Sequence, residues 1–71
     1  MPTTNTNTLA TVQRFRDEFS QAVESYNREK ERDNKVMQAF RSGQACAIAG
    51  MLFDLDWIEL AEYSAMMNTI K

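Results

Sequence analysis

The sequence of 71 residues contains no histidine and only one cysteine, Cys46. Without histidine, the usual general base of serine and cysteine hydrolases is missing, and so is a common ligand of zinc sites. A single thiol cannot form a disulfide within the chain, and a lone cysteine is more often a small buried apolar residue than a nucleophile. The sequence therefore predicts a protein that is not an enzyme and that uses no metal or cofactor.

Long apolar runs and a strong charge of either sign are also missing. The longest apolar run, residues 45–53, is far shorter than the roughly 20 residues that a membrane-spanning helix needs. A lone thiol and the lack of a signal-peptide pattern predict a reducing, cytoplasmic environment. The net charge is −2, and the cations of residues 1–43 are interleaved with acids, so we expect neither a membrane nor a nucleic acid as partner.

Residues that interrupt helices are scarce, because the chain has two glycines and one proline. Residues 1–7 are polar and lack an apolar anchor, which predicts a flexible N-terminal tail followed by Thr8 as a helix N-cap. The remainder, residues 8–71, is short enough to form a single small domain and no more.

Apolar residues recur three or four positions apart from Leu9 to Tyr26 if Arg16 is allowed at one position, which is the spacing of one helix face. The same count continues through the charged positions Lys30 and Asp33 to Met37 and Phe40. This spacing predicts one long helix over about 8–41. Asp33 and Asn34 then lie inside that helix, in an exposed and highly charged part of it.

The stretch "RSGQ" is expected to end the first helix, because Gly43 can adopt the left-handed conformation that follows a helix C-terminus. A turn at 42–43 and a second helix over about 44–69 then give an all-α fold, an antiparallel helical hairpin. The alternative is a three-helix bundle, in which the chain breaks near residues 33–34 and Asp56 forms a capping box with Glu59.

The predicted second helix has two apolar faces when its residues are placed about 100° apart. The first helix covers only one of them, so the other is expected to form a homodimer with a four-helix arrangement, or to bind a different protein. The alternative for Trp57, the expected anchor, is simple core packing in a three-helix monomer. One face carries Ala47, Ile48, Met51, Leu55, Ile58 and Ala65, and the other carries Cys46, Ala49, Phe53, Trp57, Leu60, Ser64 and Met67.

The predicted interface combines the large apolar residues of the second face with the acids beside them. Its members are Phe53, Trp57, Leu60, Met67, Asp56 and Glu59.

The length of the chain, its "PTTNTNTL" start and the two predicted helices meeting at "RSGQ" resemble the helical-hairpin quorum-sensing anti-activator of Mu-like phages. The resemblance implies a phage-encoded protein that binds and inhibits a host protein in the bacterial cytoplasm. The implied target is a LuxR-type transcriptional activator, with a pilus-assembly ATPase as a second. No functional residue is carried over from this resemblance.

The sequence thus favours a small non-catalytic inhibitor or adaptor that binds another protein. The alternative function is a small dimeric DNA-binding transcription regulator. Such a regulator would use the cations Arg14, Arg28, Arg32 and Lys35, although the acids between them oppose binding to phosphates.

Overall fold

Residues 6–70, which the structure describes, fold into three α-helices and contain no strand. The computed structural model describes residues 6–70, with side chains from residue 9 onward. Helix α1 is Thr6–Glu31, α2 is Lys35–Asp54 and α3 is Leu60–Asn68. The predicted all-α class is confirmed, whereas the predicted boundaries change.

Only part of the predicted N-terminal tail lies within the described residues. Residues 1–5 lie outside the described residues, as does Lys71. Helix α1 already includes Thr6, so Thr8 lies within the helix and is not its N-cap.

The predicted continuous helix through Asp33 and Asn34 is wrong, because local capping ends α1 there. Asp33 takes a left-handed conformation with φ 55°. Its N–H donates to the Lys30 carbonyl at 3.2 Å, and the Asn34 N–H donates to the Glu29 carbonyl at 3.0 Å, which is the Schellman pattern of a helix C-terminus. Asn34 then caps α2, because its side-chain oxygen accepts a hydrogen bond from the Met37 N–H at 3.2 Å.

The helical spacing of residues in the sequence continues past this turn, but the residues that share it do not form one buried face. Val36 and Phe40 extended the apolar pattern of α1 in the sequence, yet they are 78% and 58% exposed. The predicted turn at 42–43 is also wrong, since Ser42 and Gly43 lie inside α2.

The predicted helix 44–69 is interrupted by residues 55–59, and the interruption repeats the chemistry of the first turn. Asp56 is left-handed with φ 57°. Its N–H donates to the Phe53 carbonyl at 3.0 Å, and the Trp57 N–H donates to the Leu52 carbonyl at 2.9 Å. The Asp56–Glu59 capping box of the three-helix alternative is absent, because Glu59 itself is the N-cap of α3 and its side chain makes no capping hydrogen bond.

Helices α1 and α2 pack closely along each other in opposite directions. The Gln38 side chain, near the start of α2, donates to the Glu29 carbonyl near the end of α1, and the ring of Trp57, beyond the end of α2, lies 6.4 Å from that of Phe15. Small residues on the core side of α2 allow this approach, and among the side chains of residues 9–70 Leu52 is the one large one that is fully buried. The buried apolar residues are Val12, Phe19, Ala22, Ala45, Ala49, Leu52, Ile58, Met66 and Ile70.

Asp33→Gly is expected to stabilise the chain by about 0.5–1 kcal/mol, because glycine adopts the left-handed conformation without the steric penalty of a Cβ atom. Asp33→Ala is the matched control, since it removes the same carboxylate while keeping the Cβ atom, and it should not stabilise. Urea unfolding followed by circular dichroism measures both. Equal midpoints for the two variants would contradict the left-handed assignment.

Candidate protein-interaction surface

The predicted interface residues do not lie on one helix, because the chain turns between α2 and α3. We call residues 53–60 the junction. Phe53 lies in the last turn of α2, while Asp56 and Trp57 lie in the connection to α3. Glu59 is the N-cap of α3 and Leu60 is its first residue. Five of the six predicted residues are therefore brought together by the junction.

The sixth predicted residue, Met67, lies near the far end of α3. It is half-buried and packs against the core cluster. The face predicted to contain it also included Ala49, which is fully buried in the core. The predicted second face is therefore not one surface, because the helix on which it was drawn ends at Asp54.

Two aromatic pairs form the base of the junction. The rings of Phe53 and Tyr63 stack with centroids 4.8 Å apart and an interplanar angle of 26°. The Trp57 ring packs against Phe15 of α1 at 6.4 Å and 32°. Such pairs contribute about 0.5–1.5 kcal/mol beyond the burial of their area. Phe53 and Trp57 are thus held in place by the chain itself, and both remain half-buried.

Two leucines project from the junction into solvent. Leu55 is 49% exposed and Leu60 is 63% exposed. Leu55 was assigned to the core-facing side of the predicted helix and was missed as a site residue. Asp56 is the residue in the sequence that could have indicated the position of Leu55. In its left-handed conformation Asp56 ends the helix directly after Leu55 and changes the direction of the chain.

Carboxylates stand next to both leucines in the sequence. Asp54, Asp56 and Glu59 are all exposed. Within residues 9–70, whose side chains the structure describes, none of these three forms an ion pair. Glu62 differs, because both of its oxygens accept hydrogen bonds from the Arg16 guanidinium at 2.8 and 2.9 Å. This pair links α3 to α1 and leaves the junction with three unpaired negative charges.

Three of the four cations proposed for the alternative DNA-binding function lie near acids. Arg14 lies 3.6 Å from Glu18, and Lys35 lies 3.4 Å from Asp33. The guanidinium of Arg32 is 3.5 Å from a carboxylate oxygen of Glu29.

Other chemistry at the described residues is sparse. No three histidine, cysteine, aspartate or glutamate side chains among the described residues are grouped so that they could hold a metal ion. Cys46 is half-buried, with a free thiol. A shallow polar groove of about 330 Å³ runs between α1 and α2. It is lined by Glu18, Gln21, Ala22, Ser25, Arg41 and Gln44.

The helices of residues 6–70 include none with the length and apolar content needed to cross a membrane.

Fold and site together define a small three-helix chain with an exposed apolar junction bordered by acids. No protein-family model, curated protein or solved structure matches the chain. The resemblance to phage anti-activators therefore stays a prediction.

Proposed function

We propose that this protein is a small non-catalytic inhibitor or adaptor that binds another protein through the junction and acts as a homodimer. The observation that carries the proposal is the pair of exposed leucines, Leu55 and Leu60, on either side of the half-buried Trp57 in the sequence. Apolar side chains clustered around an aromatic residue are the usual energetic centre of a protein interface.

The acids around the junction indicate the chemistry of the partner. Asp56 and Glu59 are exposed and have no ion-pair partner among the described side chains, so both can form ion pairs with a basic rim on the partner. Charges at the rim of an interface mainly raise the association rate and select among partners. The partner surface that fits is an apolar groove bordered by Lys or Arg.

The resemblance noted in the sequence supplies the first targets to test. A LuxR-type transcriptional activator and a pilus-assembly ATPase of a host bacterium are the candidates, which would make this a phage protein acting in the host cytoplasm. Inhibition would follow if the junction covered a surface that the target needs for its own assembly or for DNA binding.

Leu60→Ser is expected to weaken target binding by about 2 kcal/mol, as loss of a central interface residue does. Leu9→Ser is the matched control, because Leu9 is 59% exposed but lies on α1 outside the junction. Binding of both variants to the purified LuxR-type activator and to the ATPase is measured by biolayer interferometry. Glu59→Lys should lower the association rate and leave the dissociation rate nearly unchanged.

Two results would count against the proposal. If Leu9→Ser and Leu60→Ser weaken binding equally, the junction is not the binding surface. If the chain instead binds nonspecific DNA at low salt, with a steep loss of affinity as salt rises, the DNA-binding alternative takes its place.

A further inference from the structure

Helix α2 has a second apolar face, directed away from α1, that differs from the junction. Val36 and Phe40 on this face are large and exposed, whereas the core residues of α2 lie on the opposite side. A Cβ atom built on Gly43 or Gly50 would meet nothing within 4 Å, so both glycines border open space. The outward face of α2 comprises Val36, Ala39, Phe40, Gly43, Ala47, Gly50 and Met51.

We infer that this outward face of α2 binds the same face of a second copy of the chain, with the two α2 helices antiparallel. The inference rests on the self-association included in the proposed function and assigns it to a surface other than the junction. The central positions of the face, from Val36 through Phe40, Gly43 and Ala47 to Gly50, alternate steps of four and three residues. This is the spacing of the apolar seam in paired helices.

The large and small residues of the face complement each other in this arrangement. A two-fold axis on the outward side of α2, at the height of residue 45 along the helix, places Phe40 of one copy opposite Gly50 of the other, and Gly43 opposite Ala47. A symmetric interface forms each of these contacts twice. The space beside Gly50 then receives an aromatic ring, and the small residues at the centre allow the two backbones to approach closely.

The charges of α2 favour the antiparallel direction. Lys35, Arg41 and Asp54 are its charged residues. Antiparallel pairing brings Asp54 of one copy close to Lys35 of the other and to the positive N-terminal end of that helix. Parallel pairing would instead place each of these residues next to the same residue of the other copy, so that like charges would repel each other. The Arg41 guanidinium lies 5.1 Å from the centre of the Phe40 ring, within the range of a cation–π contact.

The size of the face predicts a weak dimer. A helix of 20 residues is about 30 Å long, so a stripe about 10 Å wide covers about 300 Å² per copy. Stable interfaces bury about 800 Å² per partner. We therefore expect dissociation constants in the micromolar range or above, and a mass that depends on concentration.

Sedimentation velocity of the full chain between about 1 μM and 1 mM tests the inference. Phe40→Ala and Gly50→Gln should each raise the dissociation constant at least about tenfold, as loss of a central contact does. The helicity of the Gly50→Gln monomer should be unchanged or higher, because glutamine is a better helix former and the space beside Gly50 is open. Leu60→Ala is the matched control, since it removes a similarly exposed side chain from the junction and should leave the dimer intact.

The orientation is tested by cysteine crosslinking in a Cys46→Ser background. Residues 36 and 54 lie about 27 Å apart within one helix, so cysteines at both positions cannot bridge within a chain. Oxidation of Val36→Cys/Asp54→Cys should give a covalent dimer, and Asp54→Cys alone should not. Crosslinking by the single variant would indicate parallel helices and overturn the proposed arrangement.

The possible failures can be told apart. A monomer at every concentration would overturn both the proposed dimer and its interface on α2. It would not affect target binding through the junction, which Leu60→Ser and Leu9→Ser test separately. A dimer that tolerates Phe40→Ala and Gly50→Gln but is lost in Leu60→Ala would assign self-association to the junction and overturn this inference alone.

Discussion

Trp57→Ala is expected to lower the free energy of unfolding by about 2 kcal/mol, which is less than the 3–5 kcal/mol typical of a fully buried aromatic residue because the ring is half-buried. The loss comes from contacts with Phe15 and the core cluster. The same change removes the aromatic centre of the junction, so target binding should also weaken by at least about 2 kcal/mol.

Trp57→Phe separates the two effects of that substitution. A smaller ring keeps part of the packing against Phe15, so most of the stability should be retained. Unfolding by urea and target affinity are measured for both variants. A double-mutant cycle with Phe15→Ala should give a coupling of about 0.5–1.5 kcal/mol for the ring pair. Additive effects would show that the two rings do not interact.

Leu52→Ala is expected to cost about 3 kcal/mol, because Leu52 is a fully buried large side chain and its removal leaves a cavity. Chains of this length have little stability to spare, so this variant should be largely unfolded at room temperature. Circular dichroism with thermal melting measures the change.

Leu55→Ala is the matched control for that prediction. It is the same substitution three residues further along the chain, at a side chain that is 49% exposed. Its cost should stay below about 1 kcal/mol, since little apolar area returns to water. A similar loss of stability in both variants would contradict the assignment of Leu52 to the core and of Leu55 to the surface.

The helical class was predictable from sequence, because apolar spacing, scarce glycine and a single proline all favour helices. The two breaks were harder to place. Both depend on an aspartate, Asp33 or Asp56, in the left-handed conformation, for which glycine is the stronger sequence signal. Gly43 is such a glycine, and the sequence therefore placed a turn there. In the structure it lies inside α2, which begins directly after its N-cap Asn34.

The candidate surface was predicted in part. The stretch from Phe53 to Leu60 combines apolar and acidic residues in the sequence. In the structure both of its leucines and all three of its acids are exposed. Leu55 was missed because its direction depends on the left-handed backbone of Asp56. The outward face of α2 was missed because Val36 and Phe40 were assigned to the core of a longer first helix. In both cases the sequence identified the side chains as apolar, but it did not reveal the turn that leaves them exposed to solvent.

Trp57 is the only tryptophan of the chain and lies in the junction, so its signal reports directly on occupancy of the proposed binding surface. Replacing it with 5-fluorotryptophan gives a protein with a single fluorine resonance. The LuxR-type activator and the pilus-assembly ATPase are then added in turn, with a mass measurement of complex formation in parallel. The account predicts that the target that binds shifts or broadens this resonance, and that Leu60→Ser removes the effect. A complex that forms while the Trp57 resonance stays unchanged would contradict binding through the junction.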